Sequence, residues 1–451
     1  MSEKTYSLEI TIQSLLEHKR YPTIKDILVT LNAADIAAIF AELSPEALPL
    51  LFRLLPKELA AETFAELDAD QQQLLITRFS DTELKEVIDE LYIDDAVDLV
   101  EEMPANVVKR ILSQADPDTR KLINELLNYP EDSAGSIMTT EFVELGITYT
   151  VADAIKTIRR TGLEKETIND CFVTGGDRTL MGIVSIRTLI LSQDDEHVAD
   201  VMDTNVISVN TLDDQETVAQ KFKKYDLTAM PVVDGEGRLV GMVTVDDAMD
   251  VMEEEATEDI EKMAAITPSD KPYLKTGVWE IYKHRIPWLM LLMVSATFTG
   301  LIITSFENAL AAQLVLTAYI PMLMDTGGNS GSQASVTIIR GLSLNEIDFG
   351  DILTVIWKEI RVAVLCGISL AVISFLKLML LDRVGLLVSL SVSITLTVTV
   401  TIAKFIGCTL PMFAKKLGFD PAVMASPFIT TVVDALSLLT FFSIAKVIIG
   451  L

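Results

Sequence analysis

The sequence has few of the residues that build soft-metal sites, disulfide frameworks or nucleic-acid surfaces. Its 451 residues include three cysteines and three histidines, which are scattered along the chain. Without a Cys-x-x-Cys or Cys/His cluster, neither a zinc site nor a disulfide framework is expected. Basic residues number 36 against 65 acidic ones, for a formal net charge of −29. Phosphate backbones attract the opposite sign, so the composition predicts no nucleic-acid partner.

The excess of acidic residues is confined to the first part of the chain. The first 275 residues contain 55 acidic and 25 basic residues, a net charge of −30, whereas the remainder contains 10 and 11, a net charge of +1. The sequence therefore combines an acidic soluble region with a nearly neutral, apolar one. Its first residues, "MSEKTYSLEI", lack the apolar core of a cleavable signal peptide, so none is expected.

Residues 31–126 repeat every 12 residues, in blocks such as "LNAADIAAIFAE", "LDADQQQLLITR" and "LYIDDAVDLVEE". An apolar residue opens most blocks, and a Ser, Asp or Pro follows within three positions, as is typical of a helix start. Each block fits a helix of about eight residues that must stack on its neighbours to bury its apolar face. We predict an acidic α-helical solenoid over residues 1–132; an ordinary helical bundle with accidental spacing is the alternative.

Two similar units follow, at about 138–200 and 202–252. In the second, "MPVVDGEGRLVGMVTVDD" has two β-branched runs around Asp-Gly-Glu-Gly, which predicts a hairpin. This stretch resembles a CBS domain, and the tandem resembles a CBS pair of mixed α/β structure over residues 133–252. Such pairs commonly bind adenine nucleotides or act as cation-sensitive regulatory modules. The resemblance implies a possible ATP site, for which Arg187 is the one candidate residue.

Acidic residues crowd at two places in this region. Asp94, Asp95 and Asp98 share one face of a predicted solenoid helix. The closing stretch "VDDAMDVMEEEATEDIEKM" puts eight of its nine acids, those at 246–259, into about four helical turns, where like charges repel. A solvated acidic face or a solubilising linker would explain either cluster alone. Their occurrence together ahead of a membrane segment favours divalent-cation binding, and we predict an acidic linker helix within residues 253–280, at about 254–276.

Five apolar stretches are long enough to cross a bilayer, at about 286–306, 309–341, 362–381, 384–411 and 421–449. We predict a five-span α-helical transmembrane domain over residues 281–451. Basic residues precede the first stretch and separate the second from the third and the fourth from the fifth. By the positive-inside rule, the N-terminal domains lie in the cytosol and the C-terminus lies outside the cytoplasmic membrane.

The second stretch contains "PMLMDTGGNSGSQAS", with glycines at 327, 328 and 331. These glycines allow either a broken backbone that lines a cavity or close packing of small residues between helices. The segment is not a phosphate loop, because it lacks the Gly-Lys-Ser/Thr sequence.

The fifth stretch contains Asp434 within "PFITTVVDALSLLTFF". Thr430, Thr431 and Asp434 share a helix face, and the span has no basic residue close to Asp434. An unpaired intramembrane acid is by default a candidate functional site. A protonated carboxyl, or one bonded to a neighbouring helix, is the alternative.

The acidic solenoid, the CBS pair, the linker helix, "GGNSGSQ" and "PFITTVVDA" together resemble the MgtE family of magnesium channels over nearly the whole chain. The resemblance implies a membrane-embedded homodimer with a central pore. It also implies that Mg²⁺ is both the transported ion and the regulator, which closes the pore by bridging acids when cytosolic Mg²⁺ is high. The implied pore residues are Asp434, Asn329, Gly328 and, on the outward side, Glu307. The implied regulatory acids are Glu62, Asp94, Asp95, Asp98, Asp214, Glu216, Asp226, Asp247, Asp250, Glu255, Glu258 and Asp259.

One departure from the family pattern is Asp325, an extra acid just before the glycines, which could widen cation tolerance or lie at the cytosolic mouth. Two other function classes remain open from the sequence. A secondary transporter could exchange Mg²⁺ or Co²⁺, and a nucleotide-sensing protein could use the spans only as an anchor. An enzyme is not expected, because no nucleophile–base constellation is present.

Overall fold

The computed structural model describes residues 3–269, 271, 273–274, 276–424 and 426–450. Their contacts form two compact units, the first ending at Met252 and the second beginning at Glu253. Each unit has its own buried core, and each is described separately below.

The first unit begins with a helical solenoid, as the 12-residue repeat predicts. Its helices are α1 (Glu3–Glu17), α2 (Tyr21–Leu28), α3 (Ala33–Glu42), α4 (Leu48–Phe52), α5 (Lys57–Ala65), α6 (Ala69–Arg78), α7 (Asp81–Ile88), α8 (Ile93–Glu102), α9 (Ala105–Gln114) and α10 (Pro117–Leu126). Alternate helices pack on one another, α3 on α5, α5 on α7 and α7 on α9. Their apolar faces enclose one continuous core, which confirms the stacked arrangement.

The repeat is visible in the helix caps. The Asp68 side chain accepts from the Gln71 N–H, and Asp116 accepts from Asp118 and Thr119 at the start of α10. Ser80 forms a reciprocal capping box with Glu83. Because such caps satisfy the first free N–H groups of a helix, they set the helix starts along the chain.

Helix α4 departs from the repeat. The 12-residue spacing predicts a start near residue 45, but the helix runs only over Leu48–Phe52. Pro49 has no N–H to donate to the carbonyl of Pro45, so the first turn cannot form as an α-helix. A turn in which the Ala47 N–H donates to the Ser44 carbonyl replaces it.

The region that resembles a CBS pair follows, with one small sheet in each half. The first half contains β1 (Val143–Gly146), α11 (Val151–Thr161), β2 (Asp170–Thr174), β3 (Leu180–Ser185), α12 (Ile186–Leu191) and α13 (Val198–Val201); the second contains β4 (Val209–Asn210), α14 (Gln215–Tyr225), β5 (Ala229–Val233), β6 (Leu239–Thr244) and α15 (Val245–Met263). In each sheet the first strand is parallel to the second, and the second is antiparallel to the third. The predicted hairpin is β5–β6, with Gly237 at φ +78° in its turn.

Helix α15 differs from the expected linker helix in where it begins and where it ends. It begins at Val245, directly after β6, so the closing helix of the second CBS half and the acidic helix are one continuous element. It ends at Met263, so the expected extension to about 276 is wrong. Ala265 in the following turn has φ +55°, a left-handed conformation incompatible with continuing the helix.

Five long helices lie in the described part of the second unit. They are α16 (Val278–Ser305), α18 (Ile320–Ser343), α19 (Ile352–Leu380), α20 (Leu386–Lys416) and α21 (Ser426–Ile449), with the short α17 (Glu307–Ala312) between the first two. By length and composition, four segments of the described chain are apolar enough to cross a membrane, and they include α16, α19, α20 and α21. Helix α18 is not among them, because its glycines and polar residues lower its hydropathy, so the structure does not confirm the expected five spans.

Candidate functional site: an acidic cleft and a glycine-packed helix

An acidic cleft of about 400 Å³ lies in the first unit, between the solenoid and the CBS pair. It is lined by Tyr92, Asp94, Asp95, Glu166, Thr167, Asn169, Thr228, Ala229, Thr244, Val245, Asp246 and Asp247. The start of α8 forms one wall, and the starts of β5 and α15 and the loop before β2 form the other. The solenoid and the CBS pair therefore meet at a concentration of carboxylates.

Three of these carboxylates come close enough to hold one cation. One oxygen each of Asp94, Glu166 and Asp247 lies within 4.8 Å of the other two. Asp94 is buried, and the other two are half-buried. Oxygen ligands from several carboxylates are typical of Mg²⁺ and Ca²⁺ sites.

The cleft is unfavourable for ionised acids without a cation. Burial, followed by the charge of Asp94, raises the pKa of Asp247 to about 7. Burial and the charge of Asp247 raise the pKa of Asp95 to about 6. The pKa values of Asp94 and Glu166 also rise, first because of burial. A divalent ion would remove this repulsion.

Sequence reasoning missed two acids here, Glu166, which lines the cleft, and Glu141, which caps the helix that forms one wall of it. Glu166 lies in the loop before β2, where no helical or strand periodicity marks it. Glu141 accepts a hydrogen bond from the Ile93 N–H at 3.2 Å, so it caps α8 in place of the side chain that Tyr92 does not supply. Both positions become visible only when the CBS pair packs on the solenoid.

The structure brings some of the expected regulatory acids into the cleft and leaves others outside. Asp94, Asp95 and Asp247 line the cleft, while Asp98 follows on the next turn of α8. Glu62 is exposed on α5, and Asp250 is exposed one turn along α15 from the cleft. Glu255 is half-buried further along α15, and its role as a ligand stays a prediction.

A second group of expected acids lies on α14. The Asp214 side chain caps this helix by accepting from the Glu216 N–H at 2.9 Å, and the Glu216 side chain accepts from Gln220. Asp226 ends the helix in a left-handed conformation with φ 52°. None of the three lines the acidic cleft. The expected nucleotide residue Arg187 is exposed on α12 and is also absent from the cleft lining.

In the second unit, the last part of α15 contacts the ends of the long helices. Asp259 accepts a hydrogen bond from the Ser343 hydroxyl at the end of α18. Lys262 forms ion pairs with Glu258 and, at 2.8 Å, with Asp420 in the loop before α21. Expected regulatory residues Glu258 and Asp259 are thus already engaged in these contacts.

The glycine segment of α18 is a continuous helix that packs closely on α20 and α21. A Cβ at Gly327 would lie 2.7 Å from the Thr399 methyl carbon, and one at Gly328 would lie 2.9 Å from that of Thr430. A Cβ at Gly331 would lie 2.8 Å from Cγ2 of Ile429. The expected broken backbone is therefore wrong, and the small-residue packing is confirmed.

Asp434 is half-buried beside this contact, one residue beyond Val433, which packs near Gly327 and Gly331. The Thr430 and Thr431 hydroxyls both donate to the Pro427 carbonyl, so they bond to their own helix. Asn329 is exposed on α18 next to the buried Gly328.

Asp325 is exposed on α18, three residues before Gly328. It precedes Ser343 by 18 residues, or about 27 Å of helix. Ser343 is the end of α18 that contacts α15, so Asp325 lies toward the other end of the helix, and its place at the cytosolic mouth stays a prediction. Glu307 is exposed at the start of α17, and its assignment to the ion path stays a prediction.

Comparisons with known proteins match all parts of the chain. Residues 320–444 match the family described as a divalent cation transporter, MgtE. Residues 31–132 match the MgtE intracellular N domain, and 134–194 and 198–254 match CBS domains. The magnesium transporter MgtE of Thermus thermophilus is 35% identical over 100% of this chain and 99% of its own length. That of Bacillus subtilis is 34% identical over 98% and 97%.

Two solved structures resemble the first part of the chain. The soluble part of a magnesium transporter is 30% identical, with a TM-score of 0.52, and covers 56% of this chain and 99% of its own. The cytosolic domain of the Mg²⁺ channel MgtE in complex with ATP is 35% identical, with the same TM-score of 0.52, and covers 54% and 99%. With the full-length relatives, these similarities establish that the chain belongs to the MgtE magnesium transporter family.

Proposed function

We propose that this protein is a Mg²⁺-selective channel that takes up magnesium across the cytoplasmic membrane and is closed by cytosolic Mg²⁺. The observation that carries the proposal is the half-buried Asp434 carboxylate beside the glycine segment of α18. An acid held inside an apolar helix is costly unless an ion or water path reaches it. In this proposal α18 is the fifth span. Because its own hydropathy is low, the neighbouring helices surround it.

The proposed pore lies between two copies of the chain. In a homodimer two Asp434 carboxylates, with Asn329 amide oxygens, would surround the ion. Mg²⁺ gives up its water reluctantly, so such a ring would hold it through its hydration shell. Selectivity would then depend on charge and cavity size. Gly328 permits the close helix approach that holds Asn329 beside α21, and Glu307 would attract cations at the outward entrance.

The proposed gate uses the acidic cleft and α15. At high cytosolic Mg²⁺, ions bound by Asp94, Glu166 and Asp247 would hold the solenoid on the CBS pair. Helix α15 begins at this cleft and ends at the contacts of Asp259 and Lys262 with the membrane half. At low Mg²⁺ the cleft acids would repel, and the closed state would lose its stabilisation.

An adenine nucleotide is the proposed second ligand of the CBS pair. The homologous cytosolic domain was solved with ATP. In this chain, the acidic cleft includes Asn169, Thr228 and Asp246, which are suited to bind the hydroxyl and amino groups of a nucleoside. Arg187 remains a candidate contact from α12.

The test is Mg²⁺ flux into liposomes that contain the purified protein, with the Mg²⁺ concentration on the side of the soluble domains varied. We expect fast flux at low Mg²⁺ and a fall in the millimolar range. Asp434→Ala should abolish flux, whereas Glu346→Ala, which removes an exposed acid after α18, should not. Absence of flux from the native chain would contradict the channel, and coupling to a proton gradient would favour a secondary transporter.

A further inference from the structure

A buried ion pair joins α19 and α20 in the second unit. The Lys404 ammonium lies 3.6 Å from a Glu359 carboxylate oxygen, and the two side chains are 7% and 15% exposed. That oxygen of Glu359 is buried and has no hydrogen-bond partner among the described residues. Apart from this pair, the ion pairs in the described part of the chain have at least one side chain that is more than 20% exposed.

Such a pair is poorly suited to stabilising the fold. Removing two charges from water costs about as much as their attraction returns, and apolar residues of similar size often do as well. The geometry here is also long for a charged hydrogen bond. A buried pair is better suited to fixing one arrangement of the helices that carry it.

The two helices are also fastened two turns away. The Thr397 hydroxyl donates to the Gly367 carbonyl across the interface at 3.2 Å, and a Cβ at Gly367 would lie 3.1 Å from the Thr397 Cα. Gly367 lies eight residues after Glu359, and Thr397 lies seven before Lys404. Two attachments spaced along antiparallel helices fix both the rotation and the axial position of α20 against α19.

A neighbouring face of α20 contacts the glycine segment directly. A Cβ at Gly331 would lie 3.2 Å from the Ala403 carbonyl oxygen, and one at Gly407 would overlap the Gly331 carbonyl. Ala403 directly precedes Lys404, and Gly407 follows it by three residues. Because backbone meets backbone here, no side chain can adjust, and a rotation of α20 must displace α18.

Helix α18 transmits that displacement to the neighbourhood of Asp434. Gly331 meets Ile429, and Gly327 meets Val433, the residue before Asp434. The sequence of contacts runs from Glu359 through Lys404, α20 and the glycines to α21.

We propose that Lys404 and Glu359 are positioning residues that set the rotation of α20, and through it the placement of the glycine segment beside Asp434. The proposal rests on the channel function proposed above. Loss of either charge should alter how the protein discriminates and holds its ion, in addition to any effect on folding.

The first test compares Glu359→Gln, Lys404→Met and the exchanged pair E359K/K404E in liposome flux. Each single variant should raise the half-saturating Mg²⁺ concentration or change the Mg²⁺/Co²⁺ flux ratio by about tenfold at matched protein content. The exchanged pair should recover most of the native ratio. Asp382→Asn is the matched control, because it breaks the more exposed pair between Lys377 of α19 and Asp382, two residues after that helix, and should leave the ratio unchanged.

The second test reads the position of α20 without measuring transport. Cys408 is buried one turn beyond Lys404, whereas Cys366 on α19 is exposed. A membrane-permeable maleimide, with the modified sites resolved by mass spectrometry, should label Cys408 faster in E359Q than in the native protein or in D382N. Cys366 labelling should stay the same in all three.

The outcomes separate the two proposals. If the single variants only lower the melting temperature while the half-saturating concentration, the flux ratio and Cys408 labelling stay native, the positioning role is wrong. A defect in the exchanged pair as large as in the single variants would also overturn it, and this test remains if the single variants fail to fold. Absence of flux in the native protein contradicts the channel itself.

Discussion

At the scale of single residues, the glycines of α18 decide how closely three helices approach. Gly331 has Ile429 on one side and the Ala403 carbonyl on the other. We expect Gly331→Ala to lower the free energy of unfolding by about 1–3 kcal/mol, since a methyl group there overpacks the interface. Thermal unfolding in detergent measures the loss.

The matched control is Gly300→Ala. Gly300 lies inside α16, and a Cβ there meets no atom within 4 Å. This change should leave the melting temperature unchanged or raise it slightly, because alanine favours helix more than glycine does. Equal effects of the two changes would contradict the close packing around Gly331.

The residues of the site differ in how far the sequence could predict them. Asp434 stands out because a lone acid in an apolar run has few explanations. Glu166 does not, since it lies in a loop and acquires its neighbours only when α8 and α15 pack beside it. Glu359 and Lys404 are 45 positions apart, and their pairing becomes visible only when the helices meet.

At the scale of elements, α8 and the start of α15 both carry acids that face the cleft. Ionised, these acids repel and oppose the contact between the two helices; protonated, they permit it. The folded-state pKa of Asp247 is about 7, above its ordinary value of 3.8. The folded protein thus binds more protons than the unfolded chain between those values, and stability falls as pH rises through this window. Without divalent cations, we expect the melting temperature to decrease between about pH 4 and pH 7.

Added Mg²⁺ should suppress this decrease, since it replaces the protons as the neutralising charge. The double variant D94N/D247N should show a flatter pH profile and a smaller response to Mg²⁺. A native profile in that variant would show that the cleft carboxylates are not the titrating groups. Scanning calorimetry over a pH series gives both readings.

The contact of α15 with the membrane half gives a separate prediction. Lys262→Met removes the ion pair with Asp420, whose side chains are 23% and 34% exposed. Partly exposed pairs contribute up to about 1 kcal/mol, so closing should require about two- to fivefold more cytosolic Mg²⁺. Lys271→Met, which removes the exposed pair with Glu280, is the control. If Lys262→Met closes at the native cytosolic Mg²⁺ concentration, this ion pair has no role in gating.

Elements were predictable where local chemistry repeats. The solenoid helices follow from a 12-residue period with caps at Asp68, Ser80 and Asp116. The late start of α4 also has a local cause in Pro49. The end of α15 at Met263 had no such signal, because no proline or glycine stands there and the turn is made by Ala265. The unbroken α18 could not be predicted, because tertiary packing overrides the low helix propensity of its glycines.

At the scale of the whole molecule, negative charge is concentrated in the region proposed to bind regulatory Mg²⁺ and is nearly absent from the region proposed to conduct it. The acidic region carries a net charge of −30 and the apolar region +1. Repulsion among the cleft acids would make the first unit responsive to cations, whereas residues 276–451 contain only ten acids. A ligand shifts a conformational equilibrium only by its differential affinity for the two states.

This division predicts the behaviour of a chain that begins at Glu253. It keeps the membrane half and the end of α15 but lacks every ligand of the acidic cleft. We expect it to conduct Mg²⁺ and to stay open at cytosolic concentrations that close the full chain, because no differential cation binding remains to favour the closed state. The full-length variant D94N/E166Q/D247N should share this loss of inhibition while keeping the native response to Asp434→Ala. Liposome flux at matched protein content, with Mg²⁺ varied on the α15 side, measures both. If the shortened chain still closes at the native concentration, the cations that close it bind within the membrane half, and the acidic cleft serves the stability of the first unit alone.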